Sequence, residues 1–263
     1  MSQILSLSDF MKSTFKISVS GRGGSALMCR YDSEYVVMFT CWHLFCDPYP
    51  HVGRPFSENS KDREVYFKIH NSDGDIEERG QCMRPTDDSD MCAVIFNDCT
   101  LPVLIDYCDT LHTDQFSVGD EVFMFGFPFI TDMKNCLFSG NSFDPSYMAA
   151  LLKHGYIMGT VRDKNRDVIL FDMPSHVGFS GSPIVVKRAN PDDKNEYAVL
   201  SVMSGHYKDI SEENYKVLKD ECDKAGIHFS YMVANSSMSY GCRFSNIVPY
   251  LPELFRRKEY TKS

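Results

Sequence analysis

Short apolar segments of six or seven residues, separated by turn residues, recur along most of this 263-residue chain. Many of them alternate apolar and polar side chains, which is the period of a β-strand with one buried face. The predicted strands cover residues 25–31, 34–40, 64–70, 91–96, 121–127, 156–162, 167–173, 183–188 and 197–203. Only Asp32 and Ser33 separate the first two strands, which predicts a β-hairpin. The pattern indicates an all-β protein built from two β-barrels or a sandwich.

Helical periodicity is confined to three segments: 145–155, 211–226 and 248–257. The second of these begins at Ser211, a suitable N-cap, and ends at Gly226. The chain is long enough for one large domain or two packed lobes. We therefore expect helices to decorate a β-structure, mainly late in the chain.

The charge and hydropathy of the chain exclude several classes of function. Acidic residues outnumber basic ones by 36 to 27, so we expect no general nucleic-acid binding. No run of 18 apolar residues occurs, and we expect no membrane partner. The start of the sequence lacks a basic leader, which predicts no cleavable secretion signal and a cytoplasmic location. In that setting the ten cysteines are expected to be reduced thiols.

A zinc site deserves testing because Cys41, His43, Cys46 and His51 lie close together in the sequence. Their spacing matches no common zinc finger, and the second pair of ligands that such a finger needs is missing. Cysteine also behaves frequently as a small buried apolar residue. We therefore expect no metal and no other cofactor.

The segment 178–183 has the composition of a turn that presents a nucleophilic serine. Gly178 permits unusual backbone angles, and Gly181 leaves space behind Ser180. A nucleophilic serine needs backbone N–H groups aimed at the oxyanion that forms during attack. We expect that oxyanion hole at Gly178, Phe179 and Ser180, with the N–H groups of the first and last as donors.

A histidine and a carboxylate that could activate Ser180 both border predicted strands. His43 follows an apolar strand, and Asp90 immediately precedes another, with Asp87 and Asp88 as competing carboxylates. Taken singly, each residue is more easily explained as a core histidine or a solvated acid. Their joint occurrence in a β-rich chain predicts a catalytic triad of His43, Asp90 and Ser180.

With these motifs the chain resembles chymotrypsin-like serine peptidases, and among them the HtrA-type protease domain. The histidine lies in a T-x-x-H motif at 40–43, and Asp90 precedes a buried strand as in the family. Further similarity covers the segments 118–130, 156–161, 197–205 and 241–251. The resemblance therefore extends over nearly the whole chain.

The resemblance implies two six-stranded antiparallel β-barrels with a short helical C-terminal extension. It places His43 and Asp90 in a lobe over 1–112, Ser180 in a lobe over 113–210, and a helical extension with a closing segment over 211–263. It implies a serine endopeptidase that acts on a protein or peptide, as a monomer or a homo-oligomer. Phe179 replaces the aspartate that zymogen-activated members carry, so we expect no switch of that kind.

The viral 3C-like serine proteases are a second resemblance, which concerns the substrate pocket. Their specificity pocket carries a hydroxyl residue five positions before the nucleophile, where this chain has Ser175. Pro174 occupies the position at which trypsin-like enzymes carry an acid. The residues expected to bind substrate are Ser175, His176, Met203, Ser204, Gly205 and His206.

Three alternatives remain open at this point. The chain could be a catalytically silent module of protease-like fold that holds a peptide along residues 198–205. It could be a viral 3C-like protease that processes a polyprotein. It could also be a cysteine-dependent or zinc enzyme, in which Cys41 or Cys46 would matter more than Ser180.

Overall fold

Twelve β-strands form two closed antiparallel barrels of six strands each. The computed structural model describes residues 5–46, 62–71, 74–86, 89–97, 101–108, 111–128, 150–162, 167–188, 196–208, 220–221, 224 and 235–257. The predicted all-β fold with two six-stranded barrels is confirmed. Within the described part of the chain, no helix is both long and apolar enough to span a bilayer.

The first barrel has the strand order β1-β2-β3-β6-β5-β4 and closes by pairing β1 with β4. Its strands are β1 Thr14–Val19, β2 Arg22–Arg30, β3 Tyr35–Cys41, β4 Asp62–Asn71, β5 Gly74–Met83 and β6 Met91–Asn97. A short helix, α1 Leu7–Lys12, precedes them and carries a capping box between Ser6 and Asp9. The predicted hairpin is confirmed as β2 and β3, with Leu27 opposite Phe39.

The second barrel has the strand order β10-β11-β12-β9-β8-β7 and closes by pairing β10 with β7. Its strands are β7 Glu121–Gly126, β8 Leu151–Arg162, β9 Asp167–Asp172, β10 Pro183–Lys187, β11 Tyr197–Lys208 and β12 Asn235–Arg243. After β12 the chain forms two 3-10 turns and the helix α2 Leu251–Arg257. The predicted C-terminal helix is therefore present, although its first three residues are a 3-10 turn.

Aromatic side chains join the end of the chain to the first barrel. The ring centroids of Phe39 on β3 and Phe244 after β12 are 4.6 Å apart. On α2, Phe255 stacks on Tyr31 at 3.8 Å and meets Tyr107 edge-on at 5.4 Å. Each such aromatic side chain contributes about 1.5–3 kcal/mol by its burial. The C-terminal segment thus packs back across to the first barrel.

The helix predicted over 145–155 is wrong where the structure describes it. Residues 151–155 are the first part of β8, which pairs with β7 and β9. Along β8, Gly155 and Ile157 are buried while their neighbours Tyr156 and Met158 are exposed, which is a strand period. Pairing of residues 151–155 with β7 overrides the local helical pattern. The helix predicted over 211–226 falls mostly outside the described residues.

Apolar alternation did not predict three of the described strands, β1, β5 and β12. In β5 the first six residues are exposed or half-buried and mostly charged, so the strand lacks a clear apolar pattern. The domain boundary expected after residue 112 stays a prediction, since β6 ends at Asn97 and β7 begins at Glu121.

Candidate active site

His43 and Asp90 meet where β3 ends and β6 begins. β3 ends at Cys41, and the next three residues form the 3-10 turn Trp42–Leu44 that carries His43. The main-chain N–H of His43 donates to Asp90 Oδ1 at 2.9 Å, and the ring Nδ1 lies 2.8 Å from Oδ2. The carboxylate therefore fixes both the backbone and the ring of the histidine. The structure brings together two residues that the sequence predicted as partners.

The charge of Asp90 sets the electrostatic state of the histidine. Burial lowers the pKa of His43, but attraction to Asp90 and the hydrogen bond to it outweigh burial, so the pKa lies above its ordinary value. A second donor to Asp90 Oδ2 is the hydroxyl of Ser204. With Nδ1 protonated towards the carboxylate, Nε2 of His43 is the nitrogen able to accept a proton.

Ser180 lies on a turn whose peptide groups are held individually. The N–H of Phe179 donates to His176 O at 3.1 Å, and the N–H of Ser182 donates to Phe179 O at 3.0 Å. Gly178 has a φ of 100°, which suits the third position of a type II turn. Among the described backbone hydrogen bonds, the N–H groups of Gly178 and Ser180 donate to none.

Phe179 differs from the other two residues predicted for the oxyanion hole. Its N–H is already used within the turn, as a donor to His176. Its side chain is buried in the core of the second barrel, with 1% of its surface exposed. The two N–H groups left for an oxyanion are those of Gly178 and Ser180.

The turn docks closely on the first barrel. The N–H of Ser25 on β2 donates to Ser180 O at 2.8 Å. Gly181 has a φ of 87°, and its N–H donates to Met203 O on β11 at 2.8 Å. A Cβ at Gly181 would overlap the carbonyl oxygen of Ser25 and the hydroxyl of Thr40. Glycine at this position is therefore required by both the backbone angle and the close approach.

An open cavity of about 340 Å³ contains His43, Ser180 and the predicted substrate-binding residues. The latter are Ser175, His176, Met203, Ser204, Gly205 and His206, and all six line the cavity. The sequence did not predict two further lining residues, Val177 and Tyr240. Tyr240 reaches the cavity because β12 pairs with β11, where Tyr240 lies opposite Gly205. Only the strand pairing could have revealed it.

His176 and His206 line one wall of this cavity, and none of the described residues that line it is acidic. Burial, together with the charges of Lys153 and His206, lowers the pKa of His176. Lys153 Nζ donates to Pro174 O at 2.7 Å and lies 4.7 Å from the ring centroid of Phe179. The wall is therefore suited to an uncharged or negatively charged side chain rather than to a basic one.

The described hydrogen bonds include none between His43 and Ser180, although both side chains face the same cavity. Hydrogen bonds of this kind are frequently long in enzymes without substrate and shorten when substrate binds. The competing carboxylates Asp87 and Asp88 lie outside the described residues. Asp90 is the carboxylate that the structure places on His43.

A metal-binding interpretation of the same corner fits the chemistry poorly. Potential ligand atoms of Cys41, His43 and Asp90 lie within 4.8 Å of one another. Burial and the charge of Asp90 raise the pKa of the Cys41 thiol well above its ordinary value. The thiol donates to Met203 O at 2.9 Å, and a metal would have to displace this bonded proton. His51, considered with it in the sequence, lies outside the described residues.

Solved structures share this architecture. The inactive form of the Rv3671c protease from M. tuberculosis H37Rv matches 96% of this chain and 99% of its own, with a TM-score of 0.52 and 13% identity. The HtrA-type protease AlgW with a decapeptide matches 95% of this chain and 66% of its own, with a TM-score of 0.52 and 14% identity. This chain has a chymotrypsin-like fold. No protein-family model and no curated protein matches the sequence.

Proposed function

We propose that the protein is a serine endopeptidase that uses Ser180, His43 and Asp90. The observation that carries this proposal is that the Asp90 carboxylate binds both the main-chain N–H and the ring of His43, while His43 and Ser180 line the same cavity. The chymotrypsin-like fold supports it, because solved protease structures share that fold. A base, its orienting carboxylate and a serine on a tight turn are the parts that nucleophilic serine catalysis requires.

In the first half of the reaction, Ser180 Oγ attacks the carbonyl carbon of the scissile peptide bond. His43 Nε2 takes the hydroxyl proton as the C–O bond forms, and Asp90 stabilises the resulting imidazolium. The imidazolium then donates that proton to the leaving amine as the C–N bond breaks. Water repeats the sequence on the acyl-enzyme and releases Ser180. These steps need no metal or cofactor.

The developing oxyanion is assigned to the N–H groups of Gly178 and Ser180. Neither donates to a backbone carbonyl within the described residues, so both are available to a substrate oxygen. Removing one donor of such a pair typically lowers turnover by about 10²–10³-fold. A preformed pair of donors is therefore a large part of the proposed rate enhancement.

We assign the substrate as a protein or peptide, bound in the cavity beside β11. In the comparison, AlgW is the protein that holds a decapeptide. The described residues that line the pocket include His176 and His206, with Lys153 nearby, and include no carboxylate that could pair with a basic side chain. We therefore assign the residue before the scissile bond as neutral or acidic.

The test combines a peptide library with covalent labelling by a fluorophosphonate probe, using the parent protein and Ser180→Ala. The parent should cleave peptides and carry the probe on Ser180, mapped by mass spectrometry. Ser180→Ala should carry no probe there and lose about 10⁶-fold in turnover. Parent-level cleavage by Ser180→Ala would refute the assignment of the nucleophile.

The missing hydrogen bond between His43 and Ser180 favours a second candidate, a catalytically silent peptide-binding module. In that case the folded protein would bind library peptides with a measurable Kd, yet would neither cleave them nor react with the probe. The same labelling experiment therefore separates the two candidates. The cytoplasmic location stays a prediction, as do the lack of nucleic-acid and membrane partners and the monomeric or homo-oligomeric state. A viral polyprotein as the substrate stays an alternative.

A further inference from the structure

Ser25 connects the first barrel to the turn that carries Ser180. It is fully buried on β2, and its main chain and side chain both contact that turn. Its N–H donates to Ser180 O at 2.8 Å, and its hydroxyl donates to Gly178 O at 2.8 Å. The same hydroxyl accepts from the N–H of Phe127, directly after β7, at 2.9 Å. One side chain thus bridges β2, β7 and the nucleophile turn.

The position of Ser25 is itself fixed by the first barrel. In β2 it pairs with Lys16 of β1, and its carbonyl oxygen accepts from the hydroxyl of Thr40 on β3 at 2.7 Å. Ser25 is therefore held by contacts within three neighbouring strands, β1, β2 and β3. A hydrogen bond from such a site restricts the turn more than one from a mobile loop would.

The bonds from Ser25 fix the peptide group between the two proposed oxyanion donors and the peptide group that follows Ser180. The peptide between Gly178 and Phe179 is held at its carbonyl by Ser25 and at its N–H by His176. The peptide after Ser180 is held at its carbonyl by Ser25. Because a peptide group is planar, fixing these neighbours limits rotation of the N–H groups of Gly178 and Ser180.

We propose that Ser25 is a positioning residue whose hydroxyl holds the N–H groups of Gly178 and Ser180 in the orientation that receives the oxyanion. The proposal rests on the proposed function and adds the residue that keeps the oxyanion hole assembled. Without the hydroxyl, the carbonyl of Gly178 loses the donor that it has among the described hydrogen bonds, and the turn can rotate that peptide towards water. The oxyanion donors then lose their alignment, although the substrate cavity remains.

The test compares Ser25→Ala with Ser201→Ala in the 263-residue protein. Ser201 serves as the control, because it is also fully buried, is not among the described residues that line the cavity, and donates its hydroxyl to Cys242 O at 2.8 Å, on strands of the second barrel. Ser25→Ala loses two buried hydrogen bonds, one to Gly178 O and one from the N–H of Phe127, whereas Ser201→Ala loses one. Only Ser25→Ala affects the nucleophile turn, so Ser201→Ala controls for the loss of a buried serine hydroxyl.

Two measurements are made on each variant. In amide hydrogen–deuterium exchange, the hydrogen-bonded amides of segment 176–182, those of Phe179, Gly181 and Ser182, should exchange about tenfold faster in Ser25→Ala than in the parent, because the turn must open to expose them. Exchange in Ser201→Ala should match the parent. In peptide cleavage, Ser25→Ala should lower kcat at least about tenfold with KM within about twofold, because the oxyanion donors act mainly in the transition state. Ser201→Ala should leave both constants within about twofold.

Parent-like exchange in segment 176–182 of folded Ser25→Ala would overturn the proposal, as would a change confined to KM. If Ser25→Ala does not fold, Ser25→Cys keeps the side-chain volume with a weaker donor and should shift both measurements in the same direction. A parent protein that cleaves no peptide would refute the proposed function instead. The exchange comparison would still decide whether Ser25 holds the turn.

Discussion

Replacing Gly181 with alanine tests how tightly the nucleophile turn must lie against the first barrel. Gly181 has a φ of 87°, and an added Cβ would overlap the Ser25 carbonyl oxygen and the Thr40 hydroxyl. Ser25 cannot move aside easily, because it is paired within β2 and β1. The turn itself would have to move away from β2.

The expected loss of stability follows from three separate effects. Placing alanine in a left-handed backbone conformation costs about 1–2 kcal/mol. Overlap in a packed interior adds about 1–3 kcal/mol, and weakening the buried bond from Ser25 to Ser180 adds about 1 kcal/mol. We therefore expect Gly181→Ala to lower the free energy of unfolding by about 3–6 kcal/mol.

Gly119→Ala isolates the backbone effect. Gly119 has a φ of 91°, yet nothing lies within 4 Å of the Cβ that would be added. This variant should lose only about 1–2 kcal/mol. Urea unfolding gives the free energy of unfolding of both variants. The rate of fluorophosphonate labelling reports on the reactivity of Ser180, which should be lost only in Gly181→Ala. Equal destabilisation of the two variants would refute the argument that the turn is packed against β2.

Cleavage should increase with pH through the pKa of His43, because only the neutral imidazole accepts a proton. Since Asp90 raises this pKa, the midpoint of kcat/KM should lie above about 6.5. Asp90→Asn should move the midpoint down and lower kcat by about 10⁴-fold, and an unchanged midpoint would contradict the pairing. The effect of pH on folding stability has the opposite sign. The stability that the raised pKa of His43 contributes is complete below the pKa of the unfolded state and is lost as pH rises through the pKa of the folded state. Because 40% of the His43 side chain is exposed to solvent, this contribution is small. Iodoacetamide should modify the exposed Cys108 but not the buried Cys41, whose pKa is raised. The treated protein should keep its peptide cleavage. Loss of cleavage in proportion to modification of Cys41 would instead favour a cysteine enzyme.

Most of the strands and the main candidate residues could be predicted because their signals are local. Short apolar runs bounded by turn residues identify β2, β3 and β6, because most side chains of these strands are buried on both faces. His43 and Asp90 border such strands directly, and the glycines around Ser180 mark a tight turn. The helix predicted over 145–155 was wrong over residues 151–155, because β7 supplies the pairing that makes them part of a strand.

The supporting residues were decided only by the tertiary structure. Ser204 meets Asp90 across 114 residues of sequence, and Ser25 meets Gly178 across 153. Tyr240 reaches the cavity through the pairing of β12 with β11. Serine and tyrosine side chains carry no local sign of a distant partner, because barrel closure alone determines which strands become neighbours. By itself, the sequence determined an all-β chain with a candidate nucleophile, base and acid. The closing of two barrels decided what holds the nucleophile turn, what shapes the cavity, and which carboxylate orients His43.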